Sequence, residues 1–129
     1  MAATASGYET TPRPAVSVIQ APVAKTADYT VTTSDVGKLF SNLGASGTVV
    51  FTLPAISGWA GDSIRFTVKA AQIIRLLPQT GEKIFLDGDG VATKYLNVAA
   101  VIGNAVEVYN NGTSIEVKPG FTGVVTKEA

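Results

Sequence analysis

From Asp28 onward the chain is written in twos. Segment 62-DSIRFTVKA-70 is the plainest case: Ile64, Phe66 and Val68 alternate with Arg65, Thr67 and Lys69. Successive side chains of a strand point to opposite faces, so this pattern describes a strand with one covered face and one wet face. In 29-YTVTTS-34, Tyr29 and Val31 oppose Thr30 and Thr32 in the same way. Further strands are expected in 38-KLFSNL-43, 48-TVVFTL-53, 72-QIIRLLP-78 and 82-EKIFLD-87. Turn residues separate them: Asp35-Val36-Gly37, 44-GASG-47, Pro54, Pro78 and 87-DGDG-90. No segment sustains a helical period. The nearest, 92-ATKYLNVAA-100, sits among strands and reads as strand or loop.

The C-terminal third reads as a meander. Strand 98-VAAVI-102 meets Gly103-Asn104, 105-AVEVYN-110 meets Asn111-Gly112, and 113-TSIEVKP-119 ends the core. Asn-Gly between alternating runs signals a hairpin, because both residues tolerate positive φ in a type I′ turn. Val106, Val108, Ile115 and Val117 would share the buried face, with Glu107 and Glu116 on the wet one. About nine or ten short strands, spaced roughly 8–12 residues apart, imply an all-β fold. The expectation is an antiparallel, jelly-roll-like β-sandwich over residues 23–129, preceded by an extended N-terminal arm over residues 1–22. That arm holds Pro12, Pro14 and Pro22, which remove backbone donors and favour extended chain. Its segment 15-AVSVIQA-21 alternates, so it reads either as a strand added to a neighbour's sheet edge or as an ordinary chain end.

Composition narrows the chemistry. There is no Cys and no His, which removes thiolate metal sites, disulfides and the commonest general base near neutral pH. Ten basic residues balance ten acidic ones, and they are scattered singly. No basic block exists to displace counterions from a nucleic acid, so no nucleic-acid partner is expected. No apolar run approaches the roughly 20 residues of a membrane-spanning helix. The N-terminus carries neither a basic start nor an apolar core, so no secretory signal is expected. Charged residues make up 16% of the chain, against about 25% in ordinary soluble domains. With mean hydropathy at +0.27, such a surface fits burial in an assembly; a closely packed monomer covered in Thr and Ala is the alternative.

The candidate sites are few. Asp87-Gly88-Asp89-Gly90 opens like a calcium loop, but position 98 is Val where a chelating Glu would stand, so a turn is the expectation. The carboxylates Asp28, Asp35, Asp62, Glu82, Glu107 and Glu116 show no pairing that would suit glycoside cleavage. Asn111-Gly112-Thr113 matches a glycosylation acceptor, yet the hairpin already accounts for it. Trp59, the single Trp, lies in a loop between Gly58 and Ala60-Gly61. It reads either as an exposed anchor for a partner or as a cap on the sandwich. No catalytic, metal or cofactor site is expected, and the chain is not read as an enzyme.

Tyr29, Val31, Thr32, Asp35, Gly37, Lys38, Phe40, Asn42, Gly44, Ala45, Gly47, Val49, Phe51, Leu53 and Pro54 are spaced in a pattern that resembles a module of tailed-bacteriophage virion proteins. The turn Gln79-Thr80-Gly81-Glu82-Lys83-Ile84 continues the likeness, which covers roughly residues 25–118. Each residue also has a local reason. Asp35 can bond the backbone of its own turn, Gly37 can supply positive φ, and Pro54 stops strand pairing. The resemblance, the low charge and the proline-rich arm together imply a head decoration, or cement, protein on the virion exterior, made in the host cytoplasm. As such it is expected to be a homotrimer whose partner is the major capsid protein, contacting it through Tyr8, Pro12, Arg13, Pro14, Val16, Val18 and Trp59. The alternative is a receptor-binding module of a tail fibre or spike that binds host glycan.

Overall fold

The computed structural model describes residues 22–86, 90–118 and 124–128. The described residues are all-β. Eleven strands form two sheets: β1 (Val23–Ala24), β2 (Tyr29–Thr30), β3 (Leu39–Ser41), β4 (Val49–Thr52), β5 (Ser63–Thr67), β6 (Ile74–Leu77), β7 (Ile84–Phe85), β8 (Leu96–Val98), β9 (Ala105–Asn110), β10 (Ile115–Val117) and β11 (Val125–Lys127). One sheet has the order β1-β3-β5-β9-β10-β7, the other β11-β8-β6-β4-β2. The alternating residues meet in one apolar core. Phe40 and Phe66 of the first sheet and Phe51 of the second are fully buried. Phe51 lies 5.0 Å from Phe66 and 5.4 Å from Phe40 between ring centroids, within the range of favourable aromatic pairing. These rings join the inner faces of the two sheets.

The antiparallel jelly-roll expectation gives way to a mixed topology. The first eight strands fall alternately in one sheet and the other. As a result β1, β3 and β5 run parallel to one another, and so do β2, β4 and β6. Parallel neighbours require a crossover connection, usually a helix. Here the crossover is a strand of the opposite sheet. Antiparallel pairing enters with β8 against β6, β9 against β5, and β11 against β8. Among the described residues, β9–β10 is the one pair of consecutive strands that hydrogen-bond to each other.

The Asn-Gly hairpin is therefore present, but not as a type I′ turn. Asn110 is paired with Ile115, which leaves a four-residue loop in which positive φ falls on Gly112 (95°) and not on Asn111. The Asn111 carboxamide oxygen accepts the amides of Thr113 and Ser114 instead, each at 2.9 Å. The expected strand 98–102 is also corrected. β8 ends at Val98 and belongs to the opposite sheet from β9, so residues 99–104 cross the sandwich. The core does not end at residue 119 either, because β11 pairs with β8.

Crossing loops lack a neighbouring strand to satisfy their backbone, and side chains do that work. Asn42 is fully buried between β3 and the loop after β5. Its carboxamide oxygen accepts from Lys69 N and Ala70 N at 2.8 and 3.0 Å, and its amide donates to Ala70 O and Gln72 O, both at 3.1 Å. Asn42→Ala removes four buried hydrogen bonds, with Ala70 O keeping only the Gln72 amide, and is expected to lower unfolding free energy by about 2–4 kcal/mol. Urea denaturation of the variant beside the parent chain measures this.

Candidate functional site

The strand directions divide the molecule into two ends. β1, β3, β5, β8 and β10 all finish at the end where β2, β4, β6, β9 and β11 begin. Loops 25–28, 42–48, 68–73 and 99–104 therefore meet there, together with Val124. Hydrogen bonds join them in series. Asn42 holds the 69–72 backbone, Gly103 N donates to Val68 O, Asn104 Nδ2 donates to Ala99 O, and Ala99 N donates to Val124 O. Beside exposed polar residues such as Thr26, Asp28, Ser46, Thr48 and Lys69, these loops carry large apolar side chains. Leu43, Val101, Ile102 and Val124 are 59%, 59%, 62% and 61% exposed. Of the five large apolar side chains that the described residues leave exposed, only Val91 lies elsewhere. Scattered apolar side chains on a surface are ordinary, whereas a cluster on one rigid end marks a contact surface.

The opposite end is polar and is organised around Asp35. After β2 the chain makes a 3-10 turn over Thr33–Asp35. The buried Asp35 carboxylate accepts from Tyr29 Oη at 2.7 Å, Thr32 N at 3.0 Å and Thr32 Oγ1 at 3.1 Å, and Lys38 Nζ lies 3.0 Å away. Burial alone would raise its pKa. The Thr32 amide, the Tyr29 hydroxyl, the Lys38 ammonium and the Thr32 hydroxyl outweigh that and hold it well below the usual carboxylate range. Bonding to the same carboxylate raises the Tyr29 pKa. Gly37, at φ 89°, then turns the chain into β3 and donates its amide to Ser63 O. Tyr29, Thr32, Asp35, Gly37 and Lys38 of the sequence pattern are thus one hydrogen-bonded lock, centred on the Asp35 carboxylate and tied by it to the backbone turn.

Beside this lock, a cleft of about 550 Å³ opens between loop 54–58, loop 79–83 and the β9–β10 hairpin. Both Glu82 carboxylate oxygens lie 3.1 Å from Ile56 N, and Asn110 Nδ2 donates to Ile56 O at 2.7 Å. Those bonds bind the three walls together.

Trp59 sits at this end but is enclosed, at 2% exposure, and its indole N–H donates to Pro54 O at 2.9 Å. The capping alternative is the one adopted, and no indole surface is offered to a partner. Tyr8, Pro12, Arg13, Pro14, Val16 and Val18 lie outside the described residues, as do Asp87, Gly88 and Asp89. The carboxylates are dispersed. Asp28 caps Val50 N, Glu82 holds Ile56 N, Glu116 accepts from Asn111 Nδ2, and Asp35 belongs to the turn. Glu107 points outward as expected, yet it is covered and pairs with Lys118 Nζ at 3.2 Å. Among the described residues no group of three or more acidic side chains gathers to hold a metal.

No protein-family model matches the chain, and no curated protein or solved structure matches it either.

The Asp35 lock sets an acid dependence. Its pKa is depressed on folding, so its contribution is complete above the unfolded value of about 4 and is lost as pH falls toward the folded one. Asp35→Asn is expected to lose about 1–3 kcal/mol at pH 7 and to show a flatter stability profile between about pH 5 and pH 2. Urea melts across that range measure both.

Proposed function

We propose that the protein is a structural component of a tailed-bacteriophage virion, a head decoration protein that binds the assembled capsid and stabilises it. The observation that carries this reading is the apolar end: Leu43, Val101, Ile102 and Val124 on loops fixed by hydrogen bonds. A ligand that binds only the assembled shell raises the free energy of opening it by mass action. An attachment face for that purpose needs exposed apolar surface that does not rearrange on contact, and this end supplies it. The phage-like pattern, Tyr29 through Pro54, and the low charge support the virion setting. Three copies placed where capsid subunits meet would each present this end downward to the major capsid protein, with the chain segment before Pro22 available to reach a neighbouring subunit.

A receptor-binding role on a tail fibre is the second reading, favoured by the polar cleft at the opposite end. One experiment separates the two. Purified protein is mixed with bare capsids and co-sedimented. Saturable binding with raised thermal resistance of the shell is expected. The double substitution Val101→Asp and Ile102→Asp alters exposed side chains, so stability should change by less than about 0.5 kcal/mol per site while capsid affinity falls at least about tenfold. Absence of binding to capsids, or unchanged affinity in the double variant, refutes attachment by this end. Light scattering of the free protein tests the trimer.

A further inference from the structure

The polar-end cleft has two properties that together specify a ligand. The first is that it is preformed. Beyond the bonds from Glu82 and Asn110 to Ile56, Ile115 N donates to Lys83 O at 2.9 Å and Gly81 N donates to Thr93 Oγ1 at 2.9 Å. The hairpin tip is fixed by Asn111 and by Gly112 N on Asn110 Oδ1. Little ordering cost is left for a ligand to overcome.

The second is the distribution of used and unused groups. Among the described residues Glu82 is the one carboxylate lining the cleft, and it is engaged by Ile56 N. Lys83, Ser57 and Thr113 also line it, and their side chains have no partner among the described residues. The unspent chemistry of the described lining residues is therefore one cation and two hydroxyls. Phe85 adds a half-buried aromatic ring. It is backed by Gly90, where a Cβ would lie 2.4 Å from two ring carbons, so only glycine lets the backbone close on the ring. A free ammonium selects an anion, hydroxyls suit vicinal hydroxyl groups, and an aromatic ring suits the C–H face of a pyranose.

We propose that this cleft binds an acidic saccharide, a uronate-type unit of a cell-surface polysaccharide. Lys83 takes the carboxylate, Ser57 and Thr113 bond ring hydroxyls, and Phe85 lies against the sugar. The site is at the end opposite the apolar surface, so a chain attached by that surface would display the cleft outward. The saccharide site does not depend on where in the virion the chain sits. It is tested on the isolated full-length protein, and its failure would leave capsid attachment untouched.

The experiment is an amide-resolved NMR titration with an oligogalacturonate, a neutral glucose oligosaccharide of equal length, and inorganic sulfate. Saturable shifts confined to residues 56–57, 81–85 and 111–114 are expected with the oligogalacturonate, at least about tenfold tighter than with the neutral sugar. Lys83→Gln should weaken that binding about tenfold or more, and Phe85→Leu should weaken it while both variants keep the parent's dispersed spectrum. No saturable shift with the uronate, equal affinity for the neutral sugar, or an unaffected Lys83→Gln variant overturns the proposal. Sulfate binding as tightly as the oligosaccharide also overturns it, by reducing the cleft to a simple anion site.

Discussion

Almost every connection in this sandwich must cross from one sheet to the other, and that requirement governs the rest of the structure. A hairpin loop returns beside the strand it left and inherits its ladder. A crossing loop reaches the opposite sheet with its amides and carbonyls unclaimed, and buried backbone groups without partners are costly. Side-chain amides and carboxylates meet that cost here. Asn42 satisfies the loop after β5, Asn104 the loop after β8, Asn110 and Glu82 the loop after β4, and Asp35 the turn after β2. The buried polar residues of the protein are, for this reason, chiefly at the ends of strands and not in the apolar layer between the sheets.

The same arrangement explains why the two ends differ. At the Asp35 end, the polar groups that fix the turns leave a cleft with a polar lining. At the Asn42 end, one carboxamide does most of the fixing from within, so the loops themselves are free to carry Leu43, Val101 and Ile102 on their outer side. The sheet edges are protected in another way. β1, β2 and β7 are two residues long, which leaves little exposed ladder for another chain to extend.

The strands were legible in the sequence because alternation reports which face is covered. Ile64, Phe66 and Val68 point inward as read. Alternation is silent about which strand lies alongside, since a parallel and an antiparallel neighbour impose the same period when one face stays wet. That is why the mixed topology was not legible, although Asn111-Gly112 did mark the one hairpin among the described residues. The stretch 98-VAAVI-102 was misread for a related reason: its apolar residues looked like a buried strand, yet Val101 and Ile102 stand exposed on a crossing loop. Trp59 could not be decided because a loop residue carries no periodicity. What places it is the Pro54 carbonyl, five residues back in the chain. Lys83 and Phe85 gave no signal either, because their cleft is assembled from three loops distant in sequence.

The winding also bears on how the chain acquires its structure. Neighbours in the first sheet, such as Phe40 beside Phe66, belong to successive turns of the chain around the core. No local pairing can start there, and loop closure must precede any reward. β9 lies at the centre of that sheet, between β5 and β10, and it arrives late in synthesis. The earlier windings thus depend on a strand that follows them in the chain to complete their sheet. Non-local pairing of this kind is the class of topology associated with slow folding, and β9–β10 is the one pair of consecutive strands among the described residues that can form locally.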